Sequence, residues 1–143
     1  MISEGEARLL PGNGYFLRVE RVRVETLGTR RLLVTDLSGL GPEEAPAILQ
    51  RTHLELSRLP RERTVLSLAI VRGLRMDAKV TEAMKEVWRL NAPWIVASAI
   101  VGMSPIGRVI ARGVAMVSGR TFNAFGSEDE ARAWLLESAS PAA

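Results

Sequence analysis

The chain of 143 residues contains no cysteine and only one histidine, His53. The first absence excludes disulfides, thiolate metal sites and thiol catalysis. The second excludes any multi-histidine metal centre and most histidine-based catalytic arrangements. Aromatic residues make up 5% of the chain and are too sparse and scattered for a base-stacking surface. Lysine is nearly missing as well: two residues against 17 arginines, with a net charge of only +3. A basic surface for nucleic acid or anionic lipid is one reading of that bias. Because the arginines are spread along the whole sequence, ordinary solvated helix faces and arginine-rich codon usage account for them, and no DNA partner is expected. Long apolar runs are lacking too. The most apolar region, Pro93 to Val117, is broken by Arg108 and Arg112 and by several Gly, Ser and Pro, whereas a membrane span needs about 20 mostly apolar residues. The opening "MISEGEARLLPGNG" carries acids where a secretory signal carries basic residues. A cytoplasmic location without a membrane span is therefore expected.

The chain is long enough for one domain with its own core. Residues 1–14 are expected to be flexible and 138–143 to form a disordered tail, around a domain over 15–137. Period-two alternation from Tyr15 to Thr26 predicts a half-exposed strand whose charges (Arg18, Arg21, Arg23, Glu25) suit a sheet edge. A turn at Gly28 leads to a second, continuously apolar strand over Arg31–Leu37, which makes a hairpin. Pro42 stands where a helix would begin, followed by Glu43 and Glu44 in a first turn that favours acids. Ala45, Ile48, Leu49, Thr52, Leu56 and Leu59 share its inner face. "TVLSLAIV" (Thr64–Val71) is a buried-type strand. Asp77 is a natural N-cap for a helix whose stripe is Val80, Ala83, Met84, Val87 and Leu90. "WIVASAIV" (Trp94–Val101) is the next strand, and a helix follows with Ile106, Val109, Ile110, Gly113 and Val117 on its inner side. "TFNAF" is a short strand, and Ser127 with Glu130 opens a last helix by a capping box. Strands alternating with helices imply parallel pairing. The expectation is an α/β fold: one mixed sheet of about five strands, an N-terminal hairpin followed by β-α repeats, covered by about four helices.

That order, with "LLVTDLSGL", "RTVLSLAIV", "NAPWIVASAIVG", "SGRTFNAF" and "DEARAWL", resembles the STAS superfamily, in particular its bacterial branch similar to the sporulation anti-sigma-factor antagonist. The resemblance runs from about Arg21 to Leu136 and rests on element order and soft patterns. It implies a non-enzymatic switch without a cofactor that binds a protein partner, such as an anti-sigma kinase. Some STAS domains instead sense nucleotides or other small ligands, and the CRAL-TRIO domain, a distant relative by fold, carries lipids. The switch of the antagonists is a serine after the third strand, in a D-S-S-G type motif. Here that loop reads "VRGLRMDA" (Val71–Ala78) and holds no Ser or Thr. Asp77 stands near the phosphoacceptor's place, either as a permanent charge or as a plain N-cap, and the cap is the expectation. Ser38 follows the second strand and reads as a turn residue.

One stretch invites a sharper reading. In "IVGMSPIGRV" (residues 100–109), Gly102 and Gly107 have the spacing of a phosphate-binding loop between strand and helix. The residues that handle phosphate and magnesium are missing: Arg108 replaces the lysine and Val109 the hydroxyl, and Pro105 removes an N–H from the cradle. Ser104 and Pro105 fit an N-cap and a first helical residue instead. What remains is a helix start beside an arginine, able to attract an anion. The loops "SGLGPE", "RGLRMD" and "GMSPIG" should share the C-terminal edge of the sheet, where ligands and partners of such folds bind. Arg72, Arg75, Asp77, Gly102, Ser104, Gly107, Arg108 and Arg112 are therefore the candidate surface for a protein partner, with a small anionic ligand as the alternative. Trp88, off the apolar stripe, is the candidate for contact in a homodimer. His53 has no carboxylate positioned beside it in the sequence, so no catalytic residue is assigned.

Overall fold

A computed structural model describes residues 20–109, 113 and 121–138. Strands β1 (Val22–Leu27), β2 (Arg30–Asp36), β3 (Val65–Ile70), β4 (Ile95–Val101) and β5 (Phe122–Phe125) form one sheet in that same spatial order. The β1–β2 pair is antiparallel, and β2, β3, β4 and β5 are parallel neighbours. The helices are α1 (Ala45–Leu56), α2 (Ala78–Asn91), α3, helical over 105–109, and α4 (Glu128–Ser138). This is the mixed α/β architecture expected from the order of apolar patterns.

The central strands read as continuous apolar runs because both of their faces are covered. Leu32, Val34, Leu66, Leu68, Ala97, Ala99 and Val101 point to one face, where Ala131 and Leu135 of α4 close the core. The opposite face carries Leu33, Val65 and Ile95, which pack with Leu56 of α1 and Trp94. Leu37, Ala45, Leu49, Val80 and Val87 then join α1 to α2 beside it. Between these helices runs a polar seam. Asn91 Nδ2 donates to Thr52 Oγ1 (3.0 Å), Thr52 Oγ1 donates to the Leu49 carbonyl (2.6 Å), and Asn91 Oδ1 meets His53 Nδ1 at 2.9 Å. His53 also lies edge-on to Trp94, at 5.7 Å between ring centroids. The lone histidine is thus a packing residue between two helices.

Several boundaries differ from the sequence expectation. The first strand begins at Val22, because Arg21 turns away to donate to the carbonyls of Asp36 (3.2 Å) and Ser38 (2.9 Å); residues 15–19 lie outside the described part. Pro42 is a turn residue and not the first of the helix. The α-helix starts at Ala45 with Pro46 in its first turn, and Glu44 Oε1 reaches back to accept from Gly41 N (2.8 Å). Trp88, the candidate homodimer contact, is half-buried, and its ring stands edge-on to Phe122 of β5 at 4.9 Å. Ile106 and Val109, expected on the inner side of α3, are 73% and 67% exposed. Ile110, Val117 and Arg112 lie outside the described residues.

The edge strand β1 is tied to α4 by a charged cluster. Glu25 accepts from Arg23 Nε (2.6 Å) and from Arg132 Nη2 (3.1 Å), and Arg132 also holds Glu128 (3.0 Å). Partial burial alone would raise the Glu25 carboxyl, but hydrogen bonds and charge from Arg23 and Arg132 outweigh it and hold the group below the ordinary carboxylate range. A depressed folded-state pKa contributes stability that is complete above the unfolded pKa and is lost as pH falls through the folded value. Glu25→Gln should therefore lower Tm at pH 7 by about 2–4 °C, the size expected of a half-exposed pair. It should also flatten the loss of stability below about pH 4. Thermal melts of both proteins from pH 2 to 7 check this.

Candidate functional site

The parallel run of β2 to β5 sends four loops to one edge of the sheet. The ladder continues past the strand ends as a set of backbone bonds between those loops. Leu37 N donates to the Ile70 carbonyl (2.8 Å), Gly39 N to Arg72 (2.8 Å), Arg75 N to Leu40 (2.9 Å), Val71 N to Val101 (2.8 Å) and Gly102 N to Phe125 (3.2 Å). The edge is a built surface whose loops are fixed to one another. Gly102 is required for the closest of these approaches. Its φ is +100°, and a Cβ there would run into the Arg72 side chain and backbone.

Two helix starts are capped as the sequence predicts. Asp77 Oδ1 accepts from Val80 N (2.9 Å) at the start of α2. Ser104 Oγ accepts from Gly107 N (3.0 Å) and the Ser104 carbonyl from Arg108 N (2.9 Å) at the start of α3. The phosphate-loop outline is therefore filled by its own cap. Ser38 is the turn residue expected, with N and Oγ both donating to Asp36 Oδ1 at 2.9 and 2.6 Å.

The three expected arginines that are described do meet at this edge. Arg72 Nη2 donates to the Gly126 carbonyl (3.1 Å), Arg75 lies against Gly41 with Nη1 3.5 Å from the Gly39 carbonyl, and Arg108 Nη1 donates to the Met103 carbonyl (3.0 Å). None of them pairs with a carboxylate among the described residues. Arg21, Arg23, Arg51, Arg58, Arg89 and Arg132, in contrast, each have an acidic partner within 4 Å. Positive charge is thus uncompensated at the loop edge, although the arginines alternate with acids elsewhere.

Between the loops after β3 and β4 lies a groove of about 370 Å³ that the sequence did not reveal. Leu74, Met76, Met84, Ile100 and Met103 line it, with Ser104 and Gly107 at one end. Met76 is 53% exposed, and with Ile106 and Val109 it supplies half of the six large apolar side chains most open to solvent in the described structure. The methionines lie far apart in the chain, so no local pattern marks them. Their only sequence signal is that each sits at or just after a strand's C-terminal end or in the helix that follows. Unbranched thioether side chains adapt to irregular partners, which suits a recognition surface. A recess of about 440 Å³ on the far side of Arg108 is bounded by Phe125, Gly126 and Glu130.

Among the described residues no three His, Asp or Glu side chains gather as metal ligands, and no helix is long and apolar enough to cross a membrane.

A five-stranded mixed sheet in sequential order, with α1 and α2 on one face and α4 on the other, defines an α/β fold. More particularly it is the SpoIIAA-like fold. The chain is similar to the crystal structure of an uncharacterized protein from the DUF3478 family with a SpoIIAA-like fold, from Shewanella loihica PV-4. The TM-score is 0.64 at 14% identity, over 80% of this chain and 91% of that one. No family model matches the sequence, and no curated protein matches it significantly.

The caps and the glycine make separable demands on stability. Asp77→Ala should cost about 1 kcal/mol, and Asp77→Asn, which keeps an acceptor, only a few tenths. Gly102→Ala should cost about 1–3 kcal/mol, since it combines a left-handed backbone with a collision at Arg72. Urea unfolding curves with unchanged m-values check all three.

Proposed function

We propose that the protein is a non-enzymatic regulatory module that binds a protein partner at the C-terminal edge of its sheet. The observation that carries this reading is the coincidence of an open, methionine-lined groove with three arginines that no carboxylate neutralises. An apolar groove flanked by uncompensated positive charge fits a segment that offers apolar anchors and acidic neighbours, such as one face of an amphipathic helix. The SpoIIAA-like fold supports the regulatory class. The switch serine of STAS-type antagonists has no counterpart in Val71–Ala78, so the reading does not include phosphorylation of that loop.

A second reading is a small anionic ligand, nucleotide or lipid headgroup held near Ser104–Arg108. It is favoured by the approach of Arg72 and Arg108 to Gly126 from two sides. It is the weaker of the two, because Ser104 already caps α3 and Arg108 is committed to the Met103 carbonyl.

Quantitative pull-down from the native cell distinguishes them. Joint substitution of Arg72, Arg75 and Arg108 by Glu, and separately Met76→Asp, should each reduce recovery of a partner at least tenfold. Arg58→Glu, at the far end of α1, should leave it unchanged. Equal recovery with all variants would remove this edge as the binding surface. A thermal shift with nucleotides or phosphate and no recovered protein would favour the second reading.

A further inference from the structure

A separate, partly open recess of about 80 Å³ lies between the sheet and the pair α1 and α2. Leu33, Leu49, Val87, Trp88 and Ile95 supply apolar walls, and its floor carries Thr35, Ser67 and Ser98. These three share one face of the sheet. Leu33, Ser67 and Ser98 are register partners across β2, β3 and β4, and Thr35 stands two residues beyond Leu33 on the same side. Thr35 is only 4% exposed and Ser98 only 7%, while Ser67 is half-buried. Thr52 and Asn91, which also line the void, are fully engaged with each other, with the Leu49 carbonyl and with His53. The hydroxyls of Thr35, Ser67 and Ser98, however, make no hydrogen bond among the described residues. Buried hydroxyls are nearly always satisfied, and leaving one unpaired costs free energy that Val or Ala would avoid.

We propose that this cavity is a binding site for a small uncharged molecule that carries one hydroxyl, carbonyl or amide group on a short apolar body. Among the described residues no charged side chain lines the recess, so none of them would compensate an ion there. The space is roughly half that of a dry cavity that accepts benzene, which limits the occupant to a few heavy atoms. A cluster of waters fits less well. Each buried water needs two to four polar partners, and here the side chains of Thr52 and Asn91 on the helix side are already bonded to each other and to their neighbours, which leaves mainly the three hydroxyls of the sheet. Met84 and Ile100 line both this recess and the outer groove, so the two are neighbours on either side of the flexible Met84 side chain. The site shares Met84 and Ile100 with the partner groove but includes none of the loop arginines.

Methyl NMR with 1-propanol as the probe tests the proposal, with propane as an apolar comparator and inorganic phosphate as a charged one. Saturable shifts are expected at the Leu33, Leu49, Val87 and Ile95 methyls with 1-propanol and not with phosphate. The double variant Thr35→Val, Ser98→Ala should weaken 1-propanol at least tenfold and leave propane unchanged. It should also melt at the same or a higher temperature than the parent, which shows that the fold survives. Absence of saturable 1-propanol shifts, or equal binding of 1-propanol to parent and variant, would overturn the proposal. A Tm lowered by Thr35→Val alone would also overturn it, because the hydroxyl would then be satisfied permanently by held water.

Discussion

The parallel ladder from β2 to β5, buried on both faces, is the constraint on which the rest of this molecule depends. Parallel neighbours must be joined by crossovers, so each strand ends at the same edge and each following helix begins there. The four loops are brought close enough to bond backbone to backbone, from Leu37–Ile70 to Gly102–Phe125. Every other feature of the surface inherits that placement. The caps Asp77 and Ser104 are side by side because their helices start from adjacent strands. Arg72 can cross to Gly126 because Gly102 leaves room for it. A single left-handed glycine thus lets the exits of three strands share one surface.

The same ladder explains how the chain distributes its charge. Along the sequence the arginines look evenly scattered, and in the folded structure strand and helix residues such as Arg23, Arg89 and Arg132 face acids two to four positions away or, for Arg132, on the neighbouring strand β1. Exposed pairs of that kind add little stability, but they cancel the local field. The loop arginines escape this cancellation because their guanidinium groups are held by carbonyls of Gly126 and Met103. Carbonyls orient a cation without neutralising it. The result is a fixed positive rim around apolar side chains.

Legibility followed the range of the interactions. Element order, the hairpin, the three capping residues and the buried strands were readable because period, cap and composition are local signals. Pro42 misled because two prolines four residues apart both suit a first turn, and only the tertiary position of Gly41 beneath Arg75 decides between them. The contact of Trp88 with Phe122 was not legible because Phe122 is supplied by a strand more than thirty residues later. The arginine edge could be foreseen from the rule that parallel strands end together. The methionine groove could not, since Met76, Met84 and Met103 converge only in space. Nor could the hydroxyl floor: Thr35, Ser67 and Ser98 sit inside runs whose β-propensity they fit, and their lack of partners is visible only in three dimensions.

The clamp of Glu25 by Arg132 joins residues 107 positions apart, and the helix that carries Arg132 covers one whole face of the sheet. On the ribosome, where residues emerge at about 5–20 per second, that helix is the last described element to appear. Until then Leu32, Val34, Leu66 and Leu68 have no cover, and the edge strand has no anchor on that side. The nascent chain therefore passes through an interval in which a sheet can be assembled but remains sticky. Completion of the fold is a late, non-local event.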